Sequence, residues 1–210
     1  LDRLYDRAIT RFNQRNRLIA RWVKHFTDQG WPTLVVATRT MHVLILESII
    51  CELIDPSMVN ILFGQSTSRE RDTVFEWFKS TPGSVLISPL VKEGVSINEL
   101  KAGVVADYIG DWEYAKQIIG RFIRKKEDNN AHIAWFIDRQ SPRFTKGCLR
   151  LFDKLQHVSG FYYYYPVVEP EDIDKATLYD TEAILEEQER LAEKGKSKRA
   201  ATLSTQAVKL

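Results

Sequence analysis

Gln117, Arg121 and Arg124 stand four and three residues apart within the stretch Gln117-Ile118-Ile119-Gly120-Arg121-Phe122-Ile123-Arg124. On a helix turning about 100° per residue, the three side chains fall within about 60° of one another. Ile118, Ile119, Phe122 and Ile123 then occupy the other face, which is suited to a core. Two guanidiniums and an amide on one stripe suit a phosphate group, because guanidinium keeps its charge and binds oxygens in pairs. Gly120 interrupts the helix at a cost of about 1 kcal/mol relative to alanine, which points to something approaching the backbone there. A basic amphipathic helix with a solvated face is the competing reading of the same eight residues.

Such a helix needs elements to hold it, and the chain supplies them. Residues 1–29 read as a charged helix, with Leu4, Ile9, Phe12, Leu18, Ile19, Trp22, Val23 and Phe26 spaced for one buried face and Gly30-Trp31-Pro32 as its stop. Five short apolar runs follow, at 33–37, 59–63, 84–88, 103–106 and 132–137, each of strand length. Helical patterns separate them: Met41 to Leu53, a capped helix after Ser66-Thr67-Ser68-Arg69-Glu70 running to Phe78, the arginine helix from Glu113 to Lys125, and Thr145 to His157. This alternation predicts an α/β domain, a parallel sheet with helices on both faces. Ligands of such sheets gather at the carboxyl ends of the strands, where Thr38-Arg39, Gly64-Gln65, Ser88-Pro89 and Asp107 fall.

The 210 residues are 44% hydrophobic and 28% charged, with a net charge of +2, so nucleic-acid contact must come from local patches, not a global field. Cys51 and Cys148 fit no metal-ligand spacing and read as free thiols rather than a disulfide, as in a reducing compartment. No run approaches the roughly 18 apolar residues of a membrane span, and no signal peptide opens the chain, so no membrane partner and a cytoplasmic location are expected. Leu1 in place of methionine suggests a fragment. Beyond Gly160, Phe161-Tyr162-Tyr163-Tyr164-Tyr165-Pro166 reads as a strand, with base stacking as the less common use of its tyrosines. A charged segment, helical from Thr181, and a basic cluster from Lys194 to Arg199 complete the chain.

Three segments in order resemble the second RecA-like domain of superfamily 2 helicases, in particular the phage UvsW-like and XPB-like branch, from about Asn13 to Leu155. Asn13 to Ile19 resembles the family's run-in, and Leu34-Val35-Val36-Ala37-Thr38 resembles motif IV, with Gly64 to Arg71 after it. Ser84 to Ser88 with Lys92 to Ile97 resembles motif V, and Gln117 to Arg124 fits the motif VI pattern Q-x-x-G-R-x-x-R at every defined position. The resemblance implies a lead-in helix over 1–30 from a first RecA-like domain, the helicase domain over 31–160, and an extension over 161–210. It implies ATP and Mg²⁺ held mainly by that first domain, with Arg124 as arginine finger, Arg121 as a second phosphate sensor and Gln117 orienting them.

Glu93, Gly94 and Ser96 are the implied nucleotide contacts of motif V, although Ser96 stands where many relatives carry aspartate. Thr38, Arg39, Ser66, Thr67 and Ser88 are the implied contacts to a nucleic-acid strand, single or double, with DNA favoured over RNA. Hydroxyls and amides at strand ends suit phosphates without reading sequence. Each also has a plainer use as a cap or turn residue, most clearly Ser66 and Ser68. No G-x-x-x-x-G-K-[ST] loop occurs, since Arg190 stands where the first glycine before Gly195-Lys196-Ser197 belongs, and no acidic D-E-x-H box follows a strand. The chain by itself is thus expected to supply half of an ATPase site and to hydrolyse nothing. A non-catalytic nucleic-acid-binding module of the same fold is the alternative, and an unrelated doubly wound nucleotide binder the remote one.

Overall fold

The computed structural model describes residues 2–89, 100–122, 131–138, 141–155, 157, 164–165, 170 and 177–178. A short helix α1 (Asp2–Tyr5) passes into a π-helical turn (Asp6–Thr10), and a separate helix α2 (Asn13–Asp28) follows. The expected single helix over 1–29 is therefore broken at Arg11 and Phe12. The Arg11 amide reaches back to Asp6 O at 2.8 Å, and the Asn16 side-chain amide donates to Thr10 O at 2.9 Å. A side chain thus takes the carbonyl that a continuous helix would have used. Gly30 ends α2's segment with φ +73°, a left-handed turn that a β-carbon resists.

Strands β1 (Thr33–Val36), β2 (Val59–Ile61), β3 (Val85–Ser88), β4 (Ala102–Val105) and β5 (His132–Trp135) form one parallel sheet in the order β2-β3-β1-β4-β5. β1 pairs with β3 and β4 and is buried throughout, which explains its unbroken apolar run. Residues alternate between two cores. Val35 and Ala37 face α2 and α3 (Thr40–Ile50), while Leu34 and Val36 face α4 (Ser68–Ser80), α5 (Trp112–Phe122) and α6 (Pro142–Leu155). Helices cover both faces, as the periodicity predicts.

Local chemistry sets the helix starts. Thr67 caps α4 with a complete capping box: Glu70 N donates to Thr67 Oγ1 at 3.3 Å, and Thr67 N donates to Glu70 Oε2 at 2.7 Å. α6 begins at Pro142, three residues before the expected Thr145, because proline's fixed φ suits a first helical turn. α5 is seated by Phe122, whose ring lies against Gly103 of β4, and a β-carbon at Gly103 would collide with it. Tyr164–Tyr165 (β6) pairs antiparallel with Thr177–Leu178 (β7), a partner that the sequence reading did not foresee. Phe161 to Tyr163, Pro166, the expected helix from Thr181 and the basic cluster at 194–199 lie outside the described residues. Cys51 and Cys148 are both free thiols. Among the described residues no helix is long and apolar enough to cross a membrane.

Candidate nucleotide and nucleic-acid surface

The chain leaves β1 toward β2 and leaves β4 toward β5, so the crevice at the topological switch opens between the carboxyl ends of β1 and β4. Asp107 sits there, 1% exposed. Thr38 donates to its Oδ2 from both the backbone N–H and the hydroxyl. His42 Nδ1 lies 3.0 Å from Asp107 Oδ1, and His42 Nε2 lies 3.1 Å from Asn16 Oδ1. Asn16 spends its N–H on Thr10 O, so its oxygen faces the imidazole. Both ring nitrogens of His42 therefore meet acceptors, and both can donate only when the imidazole carries its second proton.

Burial pushes the Asp107 carboxyl up, but the hydrogen bond and charge of His42 and the two bonds from Thr38 hold it below the usual carboxylate value. The Tyr5 phenol hydrogen-bonds to the same carboxylate, and burial first, then that negative charge, pushes its pKa up. Beside it, Arg15 donates to Asp138 at 2.7 and 3.4 Å and to Ala106 O. Burial outweighs the pull of Arg15 and leaves the Asp138 carboxyl above its ordinary value. The switch-point crevice is thus filled by a polar lock that ties the lead-in helices to three strand ends.

The lock settles which way several candidate side chains face. The Thr38 hydroxyl turns inward to Asp107. Arg39 stays at the rim, 37% exposed, with its guanidinium 4.0 Å over the Tyr5 ring and paired to Asp2 at 2.9 Å. Ser88, across the register from Val36, is 2% exposed. Ser66 Oγ accepts from Phe63 N at 3.2 Å, and Thr67 is the cap of α4, both beyond the far edge strand β2. The plainer uses of Ser66 and Thr67 are therefore realised, while Thr38 and Ser88 share the rim at neighbouring strand ends.

On α5 the expected split of faces appears. Ala115, Ile118, Ile119 and Phe122 are buried, whereas Gln117 and Gly120 are exposed and Arg121 is half-buried. A β-carbon added at Gly120 would meet no described atom within 4 Å, so internal packing does not demand the glycine. Asp111 accepts from Tyr114 N at 2.7 Å and starts the helix directly after the β4 loop. Arg124, Glu93, Gly94 and Ser96 lie outside the described residues.

Sequence reasoning passed over His42, Asn16, Arg15 and Asp138 as site-forming residues. Two signals were present: a histidine inside the otherwise apolar turn Met41-His42-Val43, and an asparagine on the apolar face of α2. Both become legible only when the two helices are known to pack on the same sheet face.

No protein-family model matches the chain, and neither does the sequence of any curated protein. The fold is similar to that of T4 UvsW, with a TM-score of 0.57 and 17% identity over 70% of this chain and 33% of that one. It is similar to domain 2 of the DEAD-box helicase Mss116p, solved bound to an RNA duplex, at TM-score 0.53 and 16% identity over 69% of this chain and 57% of that one. It is also similar to the helicase MrfA, solved bound to DNA and AMPPNP, at TM-score 0.52 and 18% identity over 66% of this chain and 20% of that one. The chain therefore has the α/β fold of a RecA-like helicase domain 2 and spans a third of UvsW's length.

Proposed function

We propose that this chain is the second motor domain of an ATP-dependent nucleic-acid helicase or translocase. In this reading it supplies the arginine finger Arg124, the phosphate sensor Arg121 and the orienting amide of Gln117 to a site completed by a first RecA-like domain. The observation that carries the reading is the disposition of α5: its apolar residues are buried, while Gln117 and the open backbone at Gly120 face outward and Arg121 is half-exposed. That face fits an anionic phosphate, since Gln117 and Arg121 stand outside the buried apolar set of α5. ATP, held with Mg²⁺ mainly by the first domain, would supply the phosphoanhydride whose hydrolysis drives movement. Similarity to helicases solved with RNA, DNA and AMPPNP supports a nucleic-acid track and ATP as fuel.

Within this reading, Arg39 grips phosphate at the rim that Thr38 and Ser88 build from neighbouring strand ends, and motif V (Glu93, Gly94, Ser96) contacts nucleotide. DNA is the favoured track, and the branch is the UvsW-like and XPB-like one. The polar lock gives the rim a fixed shape, so a strand would meet a preformed surface.

The test joins the chain to a first RecA-like domain in one polypeptide and measures ATP hydrolysis with and without oligonucleotide. Stimulated hydrolysis should appear, and Arg124→Ala should reduce it about 10³-fold or more while strand binding persists. Normal hydrolysis by that variant would sink the finger assignment.

A further inference from the structure

Helix α6 buries Phe144, Cys148, Leu149, Leu151, Phe152 and Leu155 and turns Arg143, Lys146, Arg150 and Lys154 to solvent. At about 100° per residue the four cations fall within about 80° of one another, along about 16 Å of helix. Asp153 is the one carboxylate on α6. Several other surface cations are paired: Arg11 with Asp6, Arg17 with Glu52, Lys24 with Asp28, Lys79 with Glu76 and Lys116 with Glu113. Arg143, Lys146 and Arg150 form no ion pair among the described residues. Like charges at these spacings repel, so the stripe works against its own helix unless an anion offsets it.

The stripe also lies at the functional rim. Phe144 packs on Tyr108, beside Asp107, at 4.6 Å, and Cys148 Sγ donates to Phe136 O just past β5. Phe152 meets Trp135, the last residue of β5, edge-on at 5.7 Å, and Lys154 Nζ stands 6.0 Å from the Trp112 ring. Tyr5 joins this helix to the rim, since its ring carries the Arg39 guanidinium on one side and meets Phe144 at 6.0 Å on another. The charge of Arg143 is felt at the Tyr108 hydroxyl. Contacts thus run from Arg39 through Tyr5 to Phe144 on α6, the neighbour of Arg143.

We infer that the outer face of α6 is a second phosphodiester-binding surface, on which Arg143, Lys146, Arg150 and Lys154 hold the backbone of the strand gripped at Arg39. The charge complements a backbone that places one phosphate per about 3.4 Å on each strand of a duplex, so about 16 Å of helix faces several phosphates. Flexible cations without a built pocket suit contact that is independent of base sequence. The inference rests on the motor reading for its strand and adds the path that the strand takes.

Fluorescence anisotropy of the full chain with labelled oligothymidylate, between about 50 and 200 mM salt, tests it. The triple variant Arg143→Gln/Lys146→Gln/Arg150→Gln should bind about tenfold or more weakly at low salt. Its slope of log affinity against log salt should fall by about 2, at about 0.7 per lost single-strand contact. Arg143→Lys/Arg150→Lys should keep the slope, which separates lost charge from lost packing. Equal affinity and slope in wild type and triple variant would make the stripe a solvated face, and the motor reading would survive. Stripe-dependent capture by phosphatidylserine vesicles, without oligonucleotide binding, would overturn the inference in favour of a membrane. A wild-type chain that binds no oligonucleotide at any salt would remove this surface and the proposed rim grip together, leaving the hydrolysis assay to judge the motor.

Discussion

Gly120 occupies an interior position of α5 with open space where a β-carbon would stand. Gly120→Ala should therefore stabilise the folded chain by about 1 kcal/mol, read as a shifted urea midpoint with an unchanged m-value. In the two-domain polypeptide the same variant should lower ATP hydrolysis if the bare backbone is there for a ligand's close approach. A destabilised Gly120→Ala chain would show instead that the glycine serves the fold. Thr38 makes the opposite case. It reads from sequence as a ligand-facing hydroxyl, yet it spends both its N–H and its hydroxyl on Asp107. A residue's type states what bonds it can make; its neighbours decide which ones are already taken.

Elements carry the site by the way they seat on the sheet. α5 reads from sequence as an amphipathic helix, and its buried face is the expected one. Its height above β4 is set by a contact that periodicity does not encode, the Phe122 ring against Gly103. Gly103→Ala should force the ring aside and cost about 1–3 kcal/mol, measured by chemical unfolding. Because it tilts the helix that bears Gln117 and Arg121, it should also reduce hydrolysis in the two-domain polypeptide beyond what the stability loss explains. An unchanged unfolding midpoint would mean that the helix seats without that contact. α2 illustrates the same limit: its apolar spacing is plain, but the break at Arg11 and Phe12 follows from Asn16 reaching Thr10, a capping choice made in three dimensions.

For the whole molecule, the lock around Asp107 ties α2, α3 and the ends of β1 and β4 into one body. Asp107→Ala would leave His42, the two Thr38 donors and Tyr5 facing no acceptor, so it should cost about 3–5 kcal/mol at neutral pH. The acid side follows from the direction of the shift. The folded carboxyl titrates below its unfolded value of about 3.9, so its contribution is fully present above that pH. The contribution is lost as the pH falls through the depressed folded value. Unfolding free energies of wild type should thus drop more steeply below about pH 4 than those of Asp107→Asn. Parallel pH curves would remove Asp107 from the lock.

From sequence alone, the five strands, the helices between them, the two-faced burial of the sheet and the amphipathic character of α5 could all be read. Each is a periodic pattern within one element, and local spacing of apolar residues determines which side an element hides. Strand order, the buried Arg15–Asp138 and His42–Asp107 pairs and the inward turn of Thr38 were decided only by the tertiary structure. Arg15 and Asp138 are 123 residues apart, and His42 and Asp107 are 65 apart. Nothing local marks one as the other's partner until the sheet brings the strand ends together, and desolvation there makes an unmatched charge too costly to keep.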